Sequence, residues 1–173
     1  MPRGQDQYSR RGTAFHLWVE RQFTDAAVLF GDEYLDYLDP LDDDSKLADL
    51  KAAWLKSAFA NRTPARVEVP FETTIAGVLI RGRIDAVYRN LAADGDGFQV
   101  VDWKTGSQQL GKSAQVQLAM YRLAWAKLSG CDISKISAAF HYVPTGVTDQ
   151  PADLLDEAAL IALISSVPGS LHK

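Results

Sequence analysis

The amino-acid sequence predicts an α/β fold, with a central mixed sheet flanked by helices. Apolar residues recur at helical spacing through the first sixty positions. Period-two alternation takes over after Thr63-Pro64, and a helical stretch then returns between two later strands. The predicted order is ααβββαβα. With no internal repeat and no dividing linker, it implies one domain over 1–173: a helical part at about 13–60 and an αβ core at about 64–167.

The first helix begins near Thr13, after a basic start holding Arg3, Arg10 and Arg11. Phe15, Val19, Phe23, Ala27 and Phe30 form its apolar stripe, and Gly31 stops it. The acidic stretch 31–45 lacks the alternating ligands and central glycine of a calcium loop, so it is a solvated connector. Asp44 or Ser45 caps a second helix whose buried stripe is Leu47, Leu50, Trp54, Leu55 and Ala58. Residues 66–72 alternate as a strand. Residues 75–88 form a longer β-rich run broken by Gly82, the segment 92–97 turns, and 98–104 is a third strand ended by Thr105-Gly106-Ser107. A helix over 113–129 stops at Gly130, a strand covers 135–143, and a last amphipathic helix covers about 152–166.

Bulk properties narrow the function classes. A length of 173 residues at 47% hydrophobic content suffices for one well-buried domain. A net charge of −4 argues against coating nucleic acid through bulk charge, though not against a local basic groove. Cys131 is the single cysteine, which excludes an internal disulfide and any iron–sulfur site built from this chain alone. No apolar run approaches the roughly 18–20 residues that span a bilayer, and the N-terminus lacks a hydrophobic signal core. The expected setting is cytoplasmic, with no membrane partner.

Two carboxylates and a lysine carry the chemistry. In a strand Asp102 and Lys104 point to one face and Trp103 to the other, while Val100 and Val101 mark the strand as buried. Asp85 lies seventeen residues upstream across one turn, which fits a hairpin that brings it beside Asp102. Carboxylates that close repel unless a divalent cation bridges them, and oxygen ligation suits Mg2+. Lys104 then stands beside the attacking water and the developing phosphorane charge. The bland alternative is a plain Asp102–Lys104 surface pair worth roughly 0–1 kcal/mol.

Further residues surround this hairpin. His16 shares a helical face with Val19 and Phe23 and reads either as a satisfied core histidine or as a ligand; Glu20, one turn on, is placed to orient it or to touch a metal's water shell. Gln117 and Tyr121, four apart, share a stripe of the helix after the Asp102 strand, facing either inward or solvent. Arg122 is the next cation on that helix, and Glu68 belongs to a strand that flanks the site.

The segments GTAFH (12–16), VEVPFE (67–72), GRIDAV (82–87), VVDWKTG (100–106) and QLAMY (117–121), in that order, resemble the RecB-type nucleases of the PD-(D/E)XK superfamily. RRGTAFHLWVE near the start and AAFHYVPTG near the end are most similar to the C-terminal nuclease domain of AdnB-like (UvrD/Rep-type) helicase–nucleases. The resemblance implies a restriction-endonuclease-like sheet. It implies metal ligation by His16, Asp85, Asp102 and the Trp103 carbonyl, with Lys104 as catalytic lysine. It also implies that Gln117 and Tyr121 face the scissile phosphate. Beside the resemblance, Arg122 is expected to position the strand, and Glu20 and Glu68 to take outer roles around the metal. The implied metal is Mg2+, replaceable by Mn2+, without the iron–sulfur cluster that some relatives carry. The implied activity is DNA hydrolysis, on single strands delivered by a superfamily 1 helicase motor during double-strand-break end processing. WKTG lacks the glycine of a phosphate loop, so ATP dependence belongs to another segment or subunit. The alternative is an inactive nuclease-like domain that binds DNA or docks a subunit.

Overall fold

The computed structural model describes residues 3–23, 44–90 and 96–167. Its elements are α1 (Arg3–Gln22), α2 (Ser45–Leu55), β1 (Arg66–Ile75), β2 (Val78–Asn90), β3 (Gly97–Lys104), α3 (Lys112–Ser129), a 3-10 turn (Ile133–Lys135), β4 (Ile136–Tyr142), β5 (Val147–Asp149) and α4 (Glu157–Ser165). The five strands form one sheet in the order β1-β2-β3-β4-β5. Only the β3–β4 pair is parallel. Helix α3 makes the crossover that this parallel pair requires. The expected mixed sheet flanked by helices is what forms.

Each face of the sheet carries its own core. Val87, Val100, Ala138, Phe140 and Tyr142 pack beneath α3 and α4 with Leu118, Leu123 and Leu160. Ala86, Tyr88, Val101 and Trp103 face the other way and pack with Phe15 and Val19 of α1 and Leu47, Leu50 and Trp54 of α2. Consecutive residues of β3 thus feed opposite cores, as the pleat dictates. On the α1–α2 side the core is aromatic: Trp54, Phe59 and His141 meet the Trp103 ring edge-on at 6.0, 5.0 and 5.8 Å.

Several boundaries differ from expectation. Helix α1 starts ten residues before Thr13, because its polar first half needs no apolar stripe to continue the turn. The expected helix members Ala27 and Phe30, the stop Gly31 and the acidic stretch to residue 43 lie outside the described residues, as do residues 92–95 of the expected turn. Asp44 does cap α2, accepting the N–H groups of Lys46 and Leu47 at 3.0 and 3.3 Å. Leu55 is 53% exposed and Ala58 also faces solvent; Phe59 fills the place expected for them, since the helix ends at Leu55 and the chain turns.

Gly82 does not break β2. It pairs with Phe71, whose ring covers it so closely that a Cβ there would lie 2.6 Å from a ring carbon. The hairpin turn is instead Ala76-Gly77, both at positive φ. Gly130 ends α3 as expected, at φ 70°. Helix α4 begins only at Glu157, behind its Asp156 cap and five residues after the expected start near 152, and the sequence gives no sign of β5.

Candidate metal and phosphodiester site

The site forms where β3 outruns its partner. The β2–β3 ladder ends at Ala86↔Val101, which sets Asp85 opposite Asp102 just past the last rung. The Trp103 N–H has no strand partner on that side and donates to Asp85 Oδ2 at 2.8 Å. On the other edge, Lys104 O accepts the Val143 N–H at 2.9 Å. Buried Phe15 and Val19 pin α1 over the sheet, and His16 between them brings Nδ1 to 3.2 Å from Asp85 Oδ1.

The neighbouring strand contributes Glu68. Register places it opposite Asp85, between the rungs Val67↔Ala86 and Val69↔Ile84. Alternation slips at this point: Ile84 and Val87, three apart, face the same core, while Ala86 between them faces the other. Glu68 absorbs the slip with φ 48°, the left-handed region that a non-glycine residue occupies at a cost of roughly 1–3 kcal/mol. The distortion aims its carboxylate at the site. Donor atoms of His16, Glu68 and Asp85 all lie within 4.8 Å of one another.

Toward α3 the chemistry changes from ligand-like to cationic. Lys104 Nζ lies 2.8 Å from Asp102 Oδ2 and 5.0 Å from the centre of the Phe140 ring. It also donates to Gln117 Oε1 at 3.5 Å, and Gln117 Nε2 donates to the Tyr121 hydroxyl at 2.8 Å. Tyr121 in turn stands edge-on to Phe71, 5.6 Å away. The inward orientation of the Gln117–Tyr121 stripe is therefore the one that occurs.

The titrating groups report an excess of negative charge. Burial and then the charge of Asp85 push Asp102 up to about 6, against the pull of Lys104. Burial, followed by Asp85, also raises Glu68. For His16 burial acts downward, but its hydrogen bond to Asp85 and the charges of Asp85, Asp102 and Glu68 outweigh it and raise the imidazole. Tyr121 is pushed up to about 12 by burial and the same two aspartates. Such a cluster favours any cation placed in its centre.

Glu20 lines the cleft of about 470 Å³ that opens beside this cluster, with His16, Glu68 and Arg83. Sequence reasoning missed Arg83, whose Nη1 lies 3.6 Å from Glu68 Oε2; only the kink at Glu68 brings the two together. Arg122 turns elsewhere. Its charge lies in the field of Asp156, the α4 cap, and its Nε is buried without a hydrogen-bond partner.

No helix among the described residues is long and apolar enough to cross a membrane. The chain is similar to the Gene 69 protein of Mycobacterium phage D29, with 36% identity over 94 residues, covering 54% of this chain and 32% of that protein. It thus spans about a third of that curated relative's length. It is also similar to the solved structure of SSO0001, with a TM-score of 0.43 and 19% identity over 95% of this chain and 86% of that one. The family described as the PD-(D/E)XK nuclease superfamily matches residues 1–165. With that match running over nearly its whole length, this chain belongs to the PD-(D/E)XK nuclease superfamily.

Proposed function

We propose that this chain is a single DNA nuclease domain of the RecB type over 1–173, dependent on Mg2+ with Mn2+ able to substitute. One observation carries the reading: the His16–Glu68–Asp85 donor set includes the carboxylate opposite Asp102, and Asp102 pairs with the Lys104 ammonium. The donor chemistry fits a divalent ion. Oxygen ligands predominate, and burial, followed by the charge of Asp85, raises both Asp102 and Glu68.

Asp85, His16 and Asp102 hold the ion in this proposal, with Glu68 as a further ligand. The Trp103 carbonyl joins them, since a strand residue's C=O points to the same side as its N–H, and that N–H meets Asp85. When bound, the ion supplies Lewis-acid charge at the scissile phosphate. Lys104 holds its ammonium where negative charge grows on phosphorus and orients the attacking water. Gln117 fixes the lysine's rotamer, and Tyr121 fixes Gln117. The raised pKa of Tyr121 keeps its hydroxyl a donor throughout the working range.

Single-stranded DNA, delivered by a superfamily 1 helicase motor in the same polypeptide or complex, is the proposed substrate. Double-strand-break end processing in the cytoplasm is the proposed setting. The resemblance of both ends of the chain to AdnB-like nuclease domains supports this context. The test is cleavage of single-stranded DNA by the purified chain in Mg2+ or Mn2+. Wild type is expected to cut and Lys104→Ala to lose at least about 100-fold in rate; equal cutting by both would overturn the assignment.

A further inference from the structure

A second cleft, of about 420 Å³, opens beside the loop that leaves Lys104. Its floor is apolar, made by Leu50 and Ala53 of α2 and by Pro144. Thr105, Gly106 and Ser107 form one wall, so the cleft begins at the residue after the lysine. Tyr8 of α1 stands over it with its side chain 53% exposed. The Tyr8 hydroxyl lies so close to Gly106 that a Cβ there would come within 2.9 Å of it. Tyr8 thus reaches from α1 to the loop, with its hydroxyl beside Gly106.

The polar groups are few. Lys46 is exposed at the rim, but Asp49 shares that rim. Arg11 is held by Asp44 through a 2.7 Å ion pair. Net charge is therefore small, and the main attraction on offer is an exposed aromatic ring beside apolar residues. Thr105, Ser107 and Lys46 line the same space. An aromatic platform with a neighbouring cation and hydroxyls suits a nucleobase and its phosphate. It suits an unpaired one, because bases inside a duplex have no free face to offer.

We propose that this cleft is a nucleotide subsite: one unpaired base of a DNA strand stacks on Tyr8, and its phosphate meets Lys46 and Ser107. The inference rests on the nuclease reading for its substrate class. It deepens that reading by giving a physical cause for single-strand preference.

The test uses the full chain and a fluorescent oligothymidylate, with anisotropy read in EDTA so that no cleavage intervenes. Tyr8→Ala is expected to weaken binding about 5- to 100-fold, and Tyr8→Phe to bind like wild type. On an oligonucleotide of the same length with abasic sites, Tyr8→Ala and wild type are expected to bind equally. Undiminished binding of oligothymidylate by Tyr8→Ala overturns the subsite, as does an equal loss on the abasic strand or no binding by wild type. The two readings fail separately. Lys104-dependent cleavage with indifference to Tyr8→Ala removes the subsite and keeps the nuclease. Tyr8-dependent binding by a chain that never cuts does the reverse.

Discussion

The Asp85 carboxylate is fixed by the backbone of Trp103: its Oδ2 accepts the Trp103 N–H at 2.8 Å, two residues past Val101, where the last rung between their strands lies. A side chain thus continues a ladder that the backbone has left. The same carboxylate offers its other oxygen to His16. Asp85 therefore joins α1, β2 and β3 at one point.

Lys104→Ala should cost stability as well as rate. It leaves Asp102 buried without its cation, at a cost of about 1–2 kcal/mol near pH 7, because a carboxyl already raised to about 6 protonates instead of staying charged. Adding Asp102→Asn should return much of that stability without restoring cleavage. Denaturant unfolding of both single variants and the double variant measures the coupling; strictly additive losses would refute it.

The metal-free protein should lose stability as pH rises from about 4 to 7. Asp102 has a pKa of about 6 when folded against 3.8 as a free side chain, so its contribution is fullest at low pH and is lost as pH climbs through 6. Raised Glu68 and raised His16 act in the same direction, His16 over the window above 6.5. The Asp102 part amounts to roughly 3 kcal/mol at most. Melting curves in EDTA at pH 5 and 7.5 check the sign. Mn2+ should offset the loss increasingly with pH, because binding releases these protons.

Glu68→Gly should separate strain from ligation. Glycine accepts φ 48° freely, so the variant should gain up to about 1 kcal/mol in stability. It also removes a carboxylate from the donor set, so Mn2+ affinity should fall about 10- to 100-fold by calorimetric titration. Unchanged affinity would place Glu68 outside the coordination sphere.

Gly82→Ala should act at a distance. Its methyl must displace the Phe71 ring, at a cost of about 1–3 kcal/mol. Phe71 supports Tyr121, and Tyr121 holds Gln117, so cleavage should slow with little change in Mn2+ affinity. Wild-type turnover in Gly82→Ala would break that chain of support.

Much of the architecture was legible because its signals are local. The alternation of 98–104 and the stop at Gly130 fix β3 and the end of α3 to within a residue. Asp85 and Asp102 meet because a short hairpin leaves little freedom in register. The first half of α1 was not legible, since residues 3–12 carry no apolar stripe, and β5 is too short at three residues to show a period. Glu68 was seen only as a flanking residue. Its approach to Asp85 depends on a backbone angle and a slipped alternation, neither written in residue type. Arg83 was hidden for the same reason.

The aromatic core has an optical consequence. Trp18 touches Trp54 edge-on at 5.7 Å, and Trp54 touches Trp103 at 6.0 Å, so three indoles run from the helix of His16 to the strand of Asp102 and Lys104. Trp125 lies in the core on the opposite face of the sheet. Emission and near-ultraviolet dichroism from the row of three therefore report whether α1 is seated on the sheet. The protein carries its own gauge of site assembly, readable without a label and without turnover.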